Sequence, residues 1–517
     1  MSATTLTQSP STSTLAPFTF PSSNSIQKEE TPITLEEHEK PLNWPTRKKG
    51  LTLAILGSYT FLSAFGSTIM APGLTKMAIF TFHFTSETTG AFLVSIYLLA
   101  YAIGPLLLAP LSELYGRRPV LNGSLLFFTV FSIACALAKT TTQMATFRFL
   151  SGLGGSAPLA IGYASGTEIY VPAQRRTSGA ILALGPLLGP VLGPVVGGFV
   201  TYRVQDWRWL FWTLSIVSSV VCLSGIPFLP ETYEPAILAA KIRRMHTSSS
   251  EGQVSVRNHL LHSFTTPLRL LFTSPIVFLL ALYQAIIYGQ LYLFFVIFPS
   301  TFEQTYHERI DIASLNYLAF GIGFLIGLVC LSIMIKVAWA RAKRSLPANV
   351  DPEPEVWLIC LLPAAIILPI GLFLFGWSAH NHWHWTLPAL SSFLFALSLL
   401  QIYMSSTLYL AQAFPPQTSA SAQASLMLFR SLLGFASPLF GVKMFEGLGV
   451  GWGCSVLGFV AVCVGVPGSF GLWRWGRWLR ERGEKREKRE GHVRMVSEKD
   501  GVVENVVELV MRGEQRA

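Results

Sequence analysis

Residues 185–198 read GPLLGPVLGPVVGG, with glycine at every fourth position, Gly185, Gly189, Gly193 and Gly197, and Pro186, Pro190 and Pro194 each one residue behind. Glycines spaced i, i+4 lie along one slowly drifting helix face and let a neighbouring helix approach backbone to backbone. The prolines repeat on an adjacent face, and each interior proline deletes one i to i−4 hydrogen bond, a loss of roughly 3 kcal/mol in a soluble helix. In a membrane the freed carbonyls must find other partners or water. The stretch through Gly198 therefore predicts a bent helix, nearly free of side chains, that serves as a hinge or seal between two bundles. Ordinary close packing by small residues is the plainer alternative.

The rest of the chain supports a membrane reading. Of 517 residues, 51% are hydrophobic and only 13% charged, and the mean hydropathy is +0.47, values no soluble surface has. The apolar residues gather into runs of about 20, the length that crosses a hydrocarbon core of roughly 30 Å. Twelve runs are present, near 51–70, 89–110, 119–138, 143–168, 178–200, 208–229, 275–299, 314–336, 356–375, 385–408, 419–441 and 451–473. The expected fold class is all-α integral membrane, with twelve transmembrane helices in two six-helix bundles. Residues 47–229 form the first, a polar linker at 230–274 follows, and 275–474 form the second. Residues 1–46, rich in Ser, Thr and Pro, read as a disordered cytoplasmic tail with no cleaved signal peptide, and 475–517 as a basic cytoplasmic tail. Paired bundles with a midplane site between them form a common transporter architecture, in which the halves rock to give alternating access.

Orientation follows from Lys and Arg in the short connections. Arg47, Lys48 and Lys49, then Arg117 and Arg118, Arg175 and Arg176, the 230–274 linker and Lys336 to Arg344 all fall on one side, so both termini are expected in the cytoplasm. The net charge of +10 belongs mainly to these loops and the tail RWLRERGEKREKREGH, which favours anionic lipid headgroups over nucleic acid. The six cysteines lie inside spans without CxxC spacing and read as packing residues. The sequon at Asn122 lies where the third span leaves the cytoplasmic side, so no glycosylation is expected there.

Several residues carry chemistry. Glu113, Gly116, Arg117 and Arg118 offer a carboxylate and a guanidinium cluster around a turn that glycine can sharpen, a candidate latch between bundles. Arg148 and Arg430 sit at bilayer depth in spans 4 and 11, where an arginine costs at least ~2.5–3.5 kcal/mol and so faces a cavity or a partner. Either could act in transport or tie helices together. No Asp or Glu occupies the central third of any span. Tyr97, Tyr101, Tyr283, Gln284, Tyr288, Gln290, Tyr292, Asn316, Tyr317, Gln401 and Tyr403 are the richest aromatic and amide sets for a substrate cavity, with Gln284 and Tyr288 sharing a face. HNHWHW at 380–385 reads as an aromatic boundary, not a metal site. No phosphate loop, Ser-His-Asp housing or zinc spacing is evident, so neither an enzyme chemistry nor a cofactor is implied.

Residues 185–198 are similar to the span-5 signature of antiporters in the major facilitator superfamily, and GPLLLAPLSELYGRRPVL at 104–121 resembles that superfamily's loop signature between spans 2 and 3. LNWPTRKK, RFLSGLGGSAPLAIG, DWRWLFW, LPETYEP, YGQLYLFFVIFP and RSLLGFASPLFGVKMFEGLGVGWGCS look like the twelve-span drug:proton antiporter branch common in fungi, over roughly residues 42–480. The resemblance implies that the 113–118 loop holds the outward-facing arrangement, with Glu168 as partner. It also implies that Arg148 matches an arginine associated with proton transfer. Ala109 and Leu114 depart from the loop pattern, and Tyr409-Leu410-Ala411-Gln412 stands where related transporters often carry an aspartate. The coupling candidates are thus Arg148, Glu168 and Arg430. The expected function is export of small hydrophobic organic compounds, xenobiotics or a secondary metabolite, by a monomer in exchange for protons, most simply at the plasma membrane. The alternatives are uptake or facilitated passage of a nutrient such as a polyamine, and a membrane sensor or scaffold without flux.

Overall fold

The computed structural model of the protein describes residues 35–483 apart from 85, 172–173, 246–255 and 348–351, together with 485–486. Residues 1–34 and 487–517, where most of the two expected tails fall, lie outside the described residues. Helices cover the expected spans: α1 (Thr46–Thr68), α2 (Glu87–Tyr115), α3 (Arg117–Leu137), α4 (Thr141–Ile169), α5 (Arg175–Val204), α6 (Arg208–Phe228), α7 (Pro275–Thr305), α8 (Tyr317–Arg344), α9 (Leu361–His380) and α10 (Thr386–Ala413). A continuous helical run from Pro416 is then broken at Gly449, whose φ of 72° only glycine adopts readily, giving α11 (416–448) and α12 (450–483). Ten stretches among the described residues are long and apolar enough to span a membrane. The last of them holds both α11 and α12. The remaining helix, α4, is diluted by Gly, Ser and Thr and falls short on hydropathy although it packs as a full span.

Local sequence sets the ends. Thr140 caps α4 by accepting from the Gln143 backbone N–H at 3.2 Å, while Gln143 Oε1 accepts from the Lys139 N–H at 3.0 Å. Pro275 and Pro416 occupy the first turns of α7 and α11, where no N–H is needed. The 230–274 connection carries two further helices, Glu234–Met245 and Val256–Thr273. The second is tied to α11 by the Ser425 hydroxyl donating to Pro267 O at 2.6 Å.

In the first half α1 packs on α5, α2 and α3 on α4, and α3 on α6; in the second, α7 packs on the α11/α12 run, and α8 and α9 on α10. The halves meet where α2 lies along α11 and where α5 touches α8 and the short helix Ile310–Leu315. The second half is built on an aromatic cluster in which Phe294 stacks on Phe395 at 5.3 Å and Phe298 lies 4.6 Å from Tyr317. Large apolar side chains such as Val220, Leu223 and Val329 are exposed on the outer surface, as lipid-facing residues are.

The glycine repeat does not lie where a seal between bundles requires it. A Cβ on Gly189 would come within 2.7 Å of the Phe65 N and 2.9 Å of the Phe61 O, and one on Gly193 within 2.9 Å of the Phe65 O. Gly185, Gly189, Gly193 and Gly197 thus seat α5 against α1 inside the first half. Of the glycines Gly198 meets the second half, at Ser314 and Ile310, and between the glycines of the repeat Val191 packs on Gly321 of α8. The offset is one residue, and one residue is 100° of helix.

Candidate functional site

Between the halves lies a cavity of about 730 Å³. Its wall combines the proline edge of α5 (Pro186, Pro190) with one face of α7, where Gln284, Ile287, Tyr288 and Leu291 recur at helical spacing, and with α8, α10 and α11. The cavity reaches the chain-terminal end of the bundle, at Gly179 near the start of α5, Gln412 near the end of α10, Gln423 and Lys336. In α5 and α7 it stops near mid-helix, at Pro190 and Tyr292. Beyond that level the halves are closed. Ser67 Oγ and Tyr292 Oη lie 3.1 Å apart, joining α1 to α7, and Ser314 sits on Gly198.

Of the expected cavity residues, Tyr101, Gln284, Tyr288, Tyr292 and Tyr403 line it. The others do not. Tyr97 is fully buried and donates to Ser63 O at 2.9 Å. Tyr283, one position from Gln284, turns toward α12 and accepts from Ser469 Oγ at 3.3 Å. Gln290 donates to Leu457 O at 3.1 Å, and Gln401 is buried outside the wall. Asn316 donates to Glu308 at 2.9 Å near the closed end, and Tyr317 to Phe295 O at 2.8 Å. Around Glu308, outside the spans, burial raises the carboxyl above its usual range, and Asn316 opposes the rise. Residues not singled out in the sequence, including Tyr163, Trp357, Thr407 and Gln423, complete the wall. Trp357 is fixed by donating its Nε1–H to Gln412 at 2.7 Å. The periodicity of Gln284 and Tyr288 was the legible signal; nothing in composition marks Trp357.

The two deep arginines differ. Arg148, 1% exposed, donates to Gly66 O at 2.7 Å, to Ser67 O at 3.0 Å and at longer range to Leu93 O and Val94 O, with its guanidinium 4.6 Å from the Tyr97 ring centre. Gly66 and Ser67 are in the last turn of α1, so Arg148 caps that helix and ties it to α2 and α4. It does not line the cavity. Arg430 does, with its guanidinium 5.2 Å from the Tyr288 ring centre and 4.9 Å from that of Tyr403. Its buried Nε has no hydrogen-bond partner among the described residues.

Gly116, at φ 98°, makes the sharp turn between α2 and α3. Arg117 then pairs with Glu168 at 3.1 Å and donates to Ser112 Oγ at 2.6 Å, while Thr232 donates to the other oxygen of Glu168 at 2.8 Å. Glu231, which the sequence reading passed over, accepts from the backbone N–H groups of Arg117 and Arg118 at 2.9 and 3.0 Å and so holds the first turn of α3. Every one of these groups belongs to the first half or its edge, so the Arg117–Glu168 pair does not itself bridge the two bundles. Arg118 donates to Ile226 O at 2.8 Å. Asn122 accepts from Tyr59 Oη at 2.7 Å and donates to Gly225 O at 3.5 Å, where α3 and α1 each meet α6.

Twelve membrane-length helices among the described residues, in two halves around a central cavity, define the class, a polytopic transporter fold. The chain belongs to the Major Facilitator Superfamily, which residues 56–438 match. The MFS-type transporter penM of Penicillium rubens is 39% identical over 438 residues, 83% of this chain and 84% of that one. The efflux pump radE of Floropilus chiversii is 36% identical over 437 residues, 83% and 80% of the two chains. Among solved structures, the xylose transporter XylE of E. coli in a partially occluded inward open conformation superposes with a TM-score of 0.61 at 13% identity, over 83% of this chain and 98% of that one. At that identity the likeness concerns the fold.

Proposed function

We propose that this transporter exports hydrophobic and amphipathic organic compounds, xenobiotic or self-made, from the cytoplasm in exchange for protons. The observation that carries the reading is the large, mostly apolar cavity reaching one end of the bundle. The Lys and Arg distribution supports a cytoplasmic placement of that end and of both termini, and the reading places the protein in the plasma membrane, with the vacuolar membrane as the alternative. The efflux name of the Floropilus chiversii relative points the same way. The halves, 47–229 and 275–474, rock about the cavity, and substrate leaves when differential affinity favours the outward state. Glu168 is the proposed proton site: Arg117 and Thr232 hold its carboxylate in this arrangement, and protonation would weaken both contacts. A polyamine substrate is disfavoured, since no Asp or Glu lines the cavity among the described residues.

Accumulation of lipophilic compounds in cells with and without the protein, at two external pH values, tests this. Lower retention that steepens with acid outside is expected, and Glu168→Gln should flatten the pH response. Higher retention in expressing cells sinks the export reading. Export indifferent to external pH removes the proton limb alone.

A further inference from the structure

The formal charges of the cavity wall have one sign. Two charged side chains line it, the exposed Lys336 near the mouth and Arg430 deep inside, and neither an Asp nor a Glu is among the described lining residues. No carboxylate among the described residues forms an ion pair with Arg430. Tyr288 and Tyr403 flank its guanidinium with their rings, and Tyr403 also hydrogen-bonds it, but neither supplies a counter-charge. Gln284 donates to Tyr403 O at 3.2 Å, which links α7 to α10 beside those rings. A permanent charge in a membrane interior is retained where it meets a counter-charge or a water-filled space, and arginine presents a planar fork that matches an oxyanion.

Resting on the reading of this cavity as the substrate site, we infer that its substrate is an amphipathic organic anion. Its carboxylate-type group lies against Arg430 between Tyr288 and Tyr403, and its apolar body lies along Ile287, Leu291 and Pro186. Lys336 at the mouth attracts the same charge. The wall would then reject lipophilic cations by the field that admits anions, since like charges brought together in a desolvated site repel.

The test is equilibrium binding to the purified full-length chain in detergent at neutral pH, with three probes sharing one ring system: 9-anthracenecarboxylate, 9-anthracenemethanol and 9-anthracenemethylammonium. At least tenfold tighter binding of the carboxylate than of the ammonium probe is expected. Arg430→Gln should erase that preference and Arg430→Lys keep part of it, each in protein that remains monodisperse. Equal affinities, tighter ammonium binding, no carboxylate binding, or a preference that survives Arg430→Gln overturns the inference. If Arg430→Gln does not fold, the comparison of the three probes on the unaltered chain still decides. Direction does not enter a detergent binding measurement, so failed export in cells with the anion preference intact counts against export only.

Discussion

In the first half the deep arginine is saturated, since Arg148 has four backbone carbonyls around it and Arg117 has Glu168 and Ser112. In the second, Arg430 Nε and the side-chain oxygens of Gln284, Gln290 and Gln401 are buried without partners, whereas the first half leaves only the hydroxyls of Ser165, Thr201 and Ser215 so among the described residues. An unmet buried polar group costs about 1–3 kcal/mol. Such groups gather on α7, α10 and α11, the helices that also wall the cavity. The first half thus behaves as a closed frame, and in the second two of these unmet groups, Arg430 Nε and the Gln284 oxygen, belong to residues of the cavity wall that a transported molecule can meet, while Gln290 and Gln401 leave theirs open within the helix packing.

The sharpest way to break this contrast is to remove each arginine. Arg148→Leu strands the Gly66 and Ser67 carbonyls, and at about 1–3 kcal/mol each the loss of stability should reach roughly 2–6 kcal/mol. Arg430→Gln loses two cation–π contacts, about 0.5–2 kcal/mol each, and relieves a buried Nε without a partner, about 1–3 kcal/mol, so the net change in stability should be under about 1 kcal/mol. Thermal unfolding of both variants, followed by size-exclusion chromatography of heated samples, reads the difference. Equal losses would show that Arg430 is as structural as Arg148.

The frame is tested next at its glycine seam. Gly189→Ala puts a methyl group 2.7 Å from Phe65 N and Ala64 Cβ, so overpacking of about 1–3 kcal/mol is expected despite the better helix propensity of alanine. Gly123→Ala on α3 meets nothing within 4 Å and should be neutral or stabilising by up to about 1 kcal/mol. A drop in melting temperature for Gly189→Ala alone supports a rigid seam between α1 and α5. Wild-type melting with lost transport would return the repeat to a hinge role.

The spans were legible because hydrocarbon thickness fixes helix length whatever the tertiary packing, and even α4, diluted by Gly, Ser and Thr, stood out as a run near 143–168. The break at Gly449 was foreseeable as a boundary between two runs, though not as one unbroken helical stretch before it. Facing was less legible. Proline and glycine in residues 185–198 share one helix, and the sequence could not say which edge meets α1 and which the cavity, because both edges are small. Tyr283 and Gln284 make the same point at a single step, since a turn of 100° sends one to Ser469 and the other to the wall. Arg148 and Arg430 were alike as isolated letters. What separates them is the carbonyls of Gly66 and Ser67, exposed by the end of α1, which no local pattern near residue 148 announces.

The smallest effect should come from the second half's open amides themselves. Gln290 makes one hydrogen bond, to Leu457 O, and leaves its own carbonyl oxygen without a partner. Gln290→Met keeps the length of the side chain and removes both groups. The lost neutral bond is worth about 0.5–1.5 kcal/mol, and relief of the buried oxygen returns about 1–3 kcal/mol. Leu457 O is not stranded, because it still accepts from the Ala461 N–H. The balance is near zero or slightly favourable, so the melting temperature should hold or rise. A loss above about 2 kcal/mol would mean that the Gln290 oxygen has a strong partner in the folded protein, which would make the second half as saturated as the first and remove the contrast between frame and wall.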